Sequence, residues 1–525
     1  MMKEIQTKNR IDWIVAFTPM LVLCALAGVF FLMPSASNAV LERIRCFIGE
    51  KLGVFYIVFG VLFFTLSMFL CVSGYGGIRL GNPDEKPRYS FIAWGCMMFT
   101  CGLAADIIFY SFSEWMMYVL EPHVKELGDV YAWASVYPLF HWGLIPWSFY
   151  LVLAVSFGFL LHVKHVKKQR ISESCRSILG KKVDGLLGTM IDLFCVFALL
   201  AGTATTFSVA TPLMATIICK LFAIQISRNM LTIIIILLTC IVYTCTLLFE
   251  FKGIGYLAKI CIGFFVCLLG YVFAFGGQGS FIVKNGLQSF ARMVLYFIPL
   301  ATYTDIGKTT HFAQDWTIYY WSYWIVWCVA APFFIGNISR GRTVRQTIIG
   351  GYLFGAGATL VSFVVFGNYS MGLQMNGVMD FVGRYRSGID IYEMILQVLC
   401  TLPQANFVML LVLILMVAFY ATSFDSIAYT AACYSYRTLA WDEKPHRLMQ
   451  MLWCVLLVVL PMGLVFADSS MSNIQTVSIL AAFPMAIIML IVVAGFLKDA
   501  KRDVYMDQSA AASSGGKADV IFGKR

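Results

Sequence analysis

Residues 316–345 read WTIYYWSYWIVWCVAAPFFIGNISRGRTVR, an apolar run crowded with aromatic rings and closed by a burst of arginine. Trp316, Tyr320 or Trp321, Trp324 and Trp327 recur on one side of a helix of 3.6 residues per turn. Two readings fit this pattern. Indole faces turned inward attract a desolvated organic cation through the ring quadrupole, and a quaternary ammonium group is the ligand such cages serve best. Rings turned outward sit in lipid or at the membrane interface, which the bilayer also favours.

Composition decides the class. With 60% hydrophobic and 13% charged residues among 525, and a mean hydropathy of +0.81, the chain carries more apolar surface than a water-soluble globule can bury. Runs of about 20 apolar residues suit a bilayer-spanning helix. They fall at 12–34, 53–74, 91–119, 134–163, 187–218, 229–250, 253–276, 316–338, 346–367, 405–436, 448–467 and 474–497. The expected fold is therefore an all-α polytopic membrane protein of twelve transmembrane helices. Two amphipathic stretches, 283–300 and 385–402, carry Lys284, Arg292, Arg386 and Glu393 among apolar residues and are expected to lie at the interface.

An even number of spans puts both termini on one side. Lys3, Lys8 and Arg10; Arg79, Lys86 and Arg88; Lys164, Lys167, Lys168 and Arg170; Arg340, Arg342 and Arg345; and Arg437, Lys444 and Arg447 all fall on that side. The positive-inside rule makes it cytoplasmic, in a plasma membrane. The net charge of +10 is then a topology signal, and no nucleic-acid partner is implied. The first apolar run is too long for a cleavable signal peptide and reads as a true first helix. Sixteen cysteines scatter through the spans without a CxxC pair, so they read as small buried hydrophobes. Residues 1–505 are expected to form one transmembrane domain, and 506–525, rich in Ala, Ser and Gly, a disordered cytoplasmic tail.

Polar side chains at membrane depth are costly and informative. Asp106 lies in the middle of the third run, in CGLAADIIFYSFSE, where it can neutralise a cation, carry a proton or bond a neighbouring helix. Glu114, two turns on, reads as a structural or gating pair. Asp425, Thr422 and Ser423 lie in TSFDS of the tenth run. Hydroxyls and carbonyls of this kind can hold a small monovalent cation where helices break, or simply bond back to their own helix. A second aromatic set, HWGLIPWSFY at 141–150, places Trp142 and Tyr150 on one face, with Pro146 expected to bend the helix and re-aim Trp147. His141 reads as a hydrogen-bonded structural histidine.

These residues carry a resemblance. HWGLIPW with Tyr150, WTIYYWSYWIVWCVAAPF followed by ISRGRTVR, and TSFDS together resemble the fourth-, eighth- and tenth-helix signatures of the betaine/carnitine/choline transporter family, the last reading TSADS there. The resemblance runs over nearly all twelve spans. It implies a LeuT-like fold of two inverted five-helix repeats, about 91–276 and 316–497, preceded by two extra helices, and a homotrimer in membrane lipid. It also implies that Trp142, Trp147, Tyr150, Tyr323, Trp324 and Trp327 line the path or cage of a trimethylammonium substrate. Tyr323 stands where many members have tryptophan.

Within the family, GLAAD here places Asp106 at the last glycine of the GMGIG motif of sodium-coupled betaine carriers, as in proton-coupled choline carriers that read GMGID. Betaine and carnitine bring their own carboxylate, whereas choline arrives with an uncompensated charge that Asp106 can match. The resemblance thus implies import of choline or a related quaternary amine, with Asp106 in substrate binding and proton coupling. No cofactor is expected. The alternative is sodium coupling with betaine or carnitine as substrate, its site formed by carbonyls of Thr100 and Leu103 with Thr422 and Ser423, and Thr203 and Thr206 offering a second. The sodium-independent carnitine exchangers carry a methionine and an arginine where Ala331 and Cys261 stand here, so exchange is disfavoured. An enzyme is not expected, because His123, His162, His165, His311 and His446 map near loops without carboxylate or cysteine partners at ligand spacing. A sensor that binds quaternary amines without moving them is the remaining alternative.

Overall fold

A computed structural model describes residues 11–101, 105–166, 168–248, 254–307, 309–440 and 443–518, without the side chains of 246–248, 254–260, 422, 425 and 502–518. The described chain is almost wholly helical, and its only β pairings are isolated bridges such as Ile11 with Tyr436 and Arg79 with Thr343. Among the described residues nine helices are long and apolar enough to cross a membrane, or twelve when each of three bent pairs counts as one span. Each of the twelve apolar runs is mainly helical over its described residues.

Boundaries differ where local chemistry differs. The second helix runs Pro34–Val72, starting well before the apolar run, because Pro34 at its first turn suits a helix start. The fourth span, Val130–His162, is interrupted at Trp142 and Gly143, before the Pro146 position expected to bend it. A Cβ at Gly143 would stand 2.3 Å from the Leu139 carbonyl oxygen, so only glycine fits the turn. Pro146 instead lies in the first turn of the second half, where its missing N–H costs nothing. The last helix continues from Met471 to Ala518, past the Met506 position where disorder was expected, and the alanines at 510–512 are strong helix formers. The stretch 283–300 falls mostly in a helix, Gly279–Leu295, that leaves the seventh span at 111°, and ends in a short helix, Phe297–Thr302. The other amphipathic stretch breaks into Phe381–Arg386 and Ile391–Cys400, each too short to cross.

Two spans break at depth. Phe91–Cys101 and Ala105–Leu120 meet at 65°, and Ala313–Trp327 and Ala331–Ile338 meet at 55°. These are the third and eighth spans, the first of each five-helix half. Discontinuous helices in corresponding positions of two halves are the mark of inverted-repeat transporters, whose sites lie at the breaks. The second half of the fourth span packs on the second half of the eighth: a Cβ on Gly336 would lie 2.6 Å from the Ala154 carbonyl oxygen and 2.8 Å from the Gly158 nitrogen. Small residues let these backbones touch.

The basic loops are tied into the fold. Arg342 stacks 4.0 Å above the Trp94 ring, Arg345 caps the second helix through the Cys71 carbonyl at 2.6 Å, and Arg340 pairs with Glu85 at 2.5 Å. The Asn82 amide and then the Arg340 guanidinium hold the Glu85 carboxyl below the usual carboxylate range. Arg170, after the fourth span, bridges Asp12 at 3.0 Å and Asp192 at 3.1 Å, and Asp499 of the last helix accepts from Ser177 at 2.6 Å. The start of the first span and the end of the last therefore meet one loop, and both ends of the described chain lie on the same face.

Asp12 and Asp192 are 4% and 1% exposed at the side chain. Arg170→Ala leaves both carboxylates without their shared cation, and removing one partner of a buried pair costs about 3–5 kcal/mol. The expected result is a clear fall in the detergent melting temperature, with partial recovery in Arg170→Lys; an unchanged melting curve would contradict the bridge.

Candidate substrate site

The rings converge at the two broken spans. Trp142 ends the first half of the fourth span, and its ring centroid lies 5.7 Å from Trp324, 5.6 Å from Tyr320, 5.4 Å from Tyr110 and 5.2 Å from Phe363. Trp324 also meets Trp147 at 5.9 Å and Tyr150 at 5.0 Å, and Trp147 meets Tyr150 at 5.7 Å. Such spacings are those of rings in direct edge or tilted contact. All are buried, and the indole nitrogens of Trp147 and Trp324 make no hydrogen bond among the described residues. Gly355 makes room for Trp147, since a Cβ there would come within 2.2 Å of the indole.

The eighth span does not present its aromatics as one stripe. Trp324 and Tyr323 face the cluster, and Trp316 packs at a tilt against Tyr118 at 4.4 Å. Trp321 turns the other way, to the second helix, where a Cβ on Gly60 would meet its Nε1 at 2.7 Å. Trp327 lies against the fifth span at Gly202, with 3.1 Å between its ring and a Cβ built there, and is not brought into the cluster. Trp321, Trp324 and Trp327 stand in the unbroken helix Ile318–Trp327, where each step of three residues turns the face by about 60°, so Trp321 and Trp327 flank Trp324 and meet the neighbours on either side.

Asp106 stands in the first turn of Ala105–Leu120, at the positive end of the half-helix, and is 1% exposed. The Tyr323 hydroxyl donates to Asp106 Oδ2. That hydroxyl has one proton, so Thr206 Oγ1, 2.5 Å away, must donate to the Tyr323 oxygen. Spans three, eight and five are thereby joined. Asp106 Oδ1 is buried without a hydrogen bond among the described residues. The sequence marks Tyr323 as a departure from tryptophan, but its bond to Asp106 and the part played by Thr206 emerge only in the fold.

On the side away from the termini lies a second polar group. Glu114 accepts from Trp142 Nε1 at 2.9 Å and from the Tyr118 hydroxyl at 2.5 Å; Tyr118 also meets His141 Nδ1 at 2.6 Å, and His141 Nε2 meets Thr317 Oγ1 at 3.0 Å. Glu114 and His141 are fully buried. Sequence reasoning marked both as structural and missed Tyr118 and Thr317, which carry no motif.

Of the residues expected to hold sodium, Leu103 lies outside the described residues, as do the side chains of Thr422 and Asp425. The Thr100 hydroxyl donates to Met97 of its own helix at 2.7 Å, and Ser423 is half-buried. The Thr203 hydroxyl likewise bonds back to Leu199 at 2.7 Å.

Beyond Glu114 lie further packed rings, with His123 stacked on Tyr303 at 4.1 Å and Tyr137 tilted against Phe312 at 4.6 Å. Toward the termini, a cavity of about 220 Å³ runs between spans four, eight and ten, from Val329 and Ala330 at the eighth-span break to Arg170 and Tyr434.

The chain is similar to known transporters. The family model "BCCT, betaine/carnitine/choline family transporter" matches residues 14–505. A carnitine transporter of Acinetobacter baumannii is 27% identical over 447 residues, 84% of this chain and 80% of that protein. The substrate-bound outward-open structure of a Na+-coupled sialic acid symporter superposes with a TM-score of 0.39 at 12% identity, covering 86% of each chain. Broken spans, an aromatic cluster between them and a family match over almost the whole length lead to one conclusion: this chain belongs to the betaine/carnitine/choline transporter family, whose members are transporters and not enzymes.

Proposed function

We propose that this transporter imports choline, or a quaternary amine that likewise lacks a carboxylate, and that Asp106 couples import to a proton. The observation that carries this reading is the buried Asp106 carboxylate at a half-helix N-terminus, bonded to the cluster through Tyr323, with no side-chain partner for Oδ1 among the described residues. A half-helix N-terminus is where a transporter of this build receives the anionic end of a substrate. Here a side-chain carboxylate already stands at that place. A zwitterion would bring a second negative charge to it, whereas choline brings only a cation and a hydroxyl able to bond Oδ1. Trp142, Trp147, Tyr150, Tyr323 and Trp324 hold the methylated ammonium, and Trp327 lines the path beyond. The tail-bearing face is cytoplasmic by its arginines and lysines, and the assembly is a homotrimer.

A second reading has an observation behind it: the Acinetobacter baumannii relative is a carnitine transporter. In that case the carboxylate of carnitine needs a protonated Asp106 or a sodium ion near Thr100, Leu103, Thr422 and Ser423.

In proteoliposomes, choline uptake should follow an imposed pH gradient, and Asp106→Asn should reduce it about tenfold or more, equivalent to about 1.4 kcal/mol. Betaine or carnitine should then compete better than choline. Wild-type choline uptake in the variant would sink the proposal. Replacing sodium by potassium at constant pH should leave uptake within about twofold, a change of about 0.4 kcal/mol, and a sodium requirement abolished by Thr422→Ala or Ser423→Ala would favour the second reading. Trp324→Leu should weaken affinity for any quaternary amine by about 30-fold, the equivalent of the roughly 2 kcal/mol of a desolvated cation–π contact.

A further inference from the structure

Glu114, Tyr118 and His141 form a network with more than one consistent set of hydrogens. The indole N–H of Trp142 can only donate, so Glu114 Oε2 is an acceptor in every state. The Tyr118 hydroxyl has one hydrogen and two partners, Glu114 Oε1 at 2.5 Å and His141 Nδ1 at 2.6 Å. One contact must therefore be filled from the other side. Either Glu114 is the acid and donates to Tyr118, which donates to His141; or Glu114 is the carboxylate and accepts from Tyr118, which accepts from His141 Nδ1–H. Thr317 fits both, because its hydroxyl donates to a bare Nε2 or accepts from a protonated one.

We infer that Glu114, Tyr118 and His141 are a proton-holding site separate from Asp106, and that its charge state sets how firmly Trp142 is held in the aromatic cluster. Loading adds one proton to the carboxylate–phenol–imidazole set and unloading returns it to water, with no other bond changed. Transfer between Glu114 and His141 through Tyr118 needs no movement of heavy atoms. A purely structural network requires one filling; this one satisfies every contact in the loaded and the unloaded state.

The surroundings make the triad the place where charge is held. On its own helix stand Asp106 and Tyr110, the latter bonded to Tyr319 at 2.9 Å. From the fourth span come Tyr137 and, bonded to it at 2.7 Å, His123. From the eighth span Tyr320 stacks on the His141 ring at 4.9 Å. At the far rim are Glu121 and the Arg45–Asp315 pair. Among the described residues no lysine or arginine bonds the triad, so a negative Glu114 is held by the hydrogen bonds it accepts from Trp142 and Tyr118.

The link to the substrate rests on the cage reading above. As a carboxylate, Glu114 holds the Trp142 N–H by a charge-assisted bond roughly twice as strong as a neutral one. As an acid it holds it less firmly. Trp142 touches Trp324 and Tyr320, so loading the triad slackens one wall of the cage and removes a negative charge near the cation. Glu114 and Tyr118 are thus positioning residues for Trp142.

Two measurements test this. Infrared difference spectra of the purified protein across a pH step, without substrate, should show a carboxyl C=O band in Asp106→Asn, where no Asp106 carboxyl contributes, that is absent when Glu114→Gln is added and displaced when Tyr118→Phe is added. The same band in Asp106→Asn with and without Glu114→Gln overturns the proton site. Choline affinity, read by tryptophan fluorescence, should rise with pH in the wild type, and this dependence should be at least threefold flatter in Glu114→Gln. Tyr118→Phe, which keeps the Glu114–Trp142 bond, should still bind but with its pH dependence displaced. A wild-type pH profile in both variants overturns the link to Trp142. The infrared arm contains no substrate, so its failure is separable from a wrong choice of substrate.

Discussion

A backbone broken inside a bilayer must be covered by protein, because hydrocarbon offers no partner for a freed N–H or C=O. The third and eighth spans both break, and the arrangement of this chain follows from that. The half-helix after the first break, Ala105–Leu120, has nearly every residue buried, and the fourth span beside it is buried along almost its whole second half. Spans four, five and eight close around the breaks, while the first two helices and the outer faces of the others keep exposed leucine, valine and phenylalanine for lipid. Close approach of the fourth and eighth spans at Gly158 and Gly336 brings Trp142 and Trp324 together.

Polar groups in this interior come as connected sets. Asp106, Tyr323 and Thr206 link three spans on one side of the rings; Glu114, Tyr118, His141 and Thr317 link three elements on the other. Each set contains a carboxyl, and each reaches an aromatic residue of the cluster. Ion pairs with arginine are kept to the ends, at Arg170 and at Arg45. This distribution suits a protein that must pass a cation, because a fixed guanidinium at the midplane would repel it.

Much of this was readable along the chain. Apolar run length set the twelve helices, since bilayer thickness demands about 20 residues whatever the neighbours are. Asp106 stood out because a carboxyl at that depth is rare and costly. Helical spacing puts Trp142 and Tyr150 on one face, whereas Trp147, Tyr323 and the grouping of these rings as a cage come from the family resemblance. Spacing alone does not show that Trp321, Trp324 and Trp327, about 60° apart in turn around one helix, meet different neighbours, and at Gly143 a steric clash decides the turn rather than proline.

By itself, then, the sequence determined the membrane class, the twelve apolar runs and the signature residues that carry the family. These depend on composition and local spacing. Tertiary structure alone decided that Tyr323 bonds Asp106, that Thr206 must donate to it, that Trp142 is tethered to Glu114, and that Trp327 faces the fifth span. Each joins residues 28 to 217 positions apart, or turns on which face of a helix a neighbour covers. A hydrogen bond is set by distances of about 3 Å in space, which one-dimensional spacing does not encode.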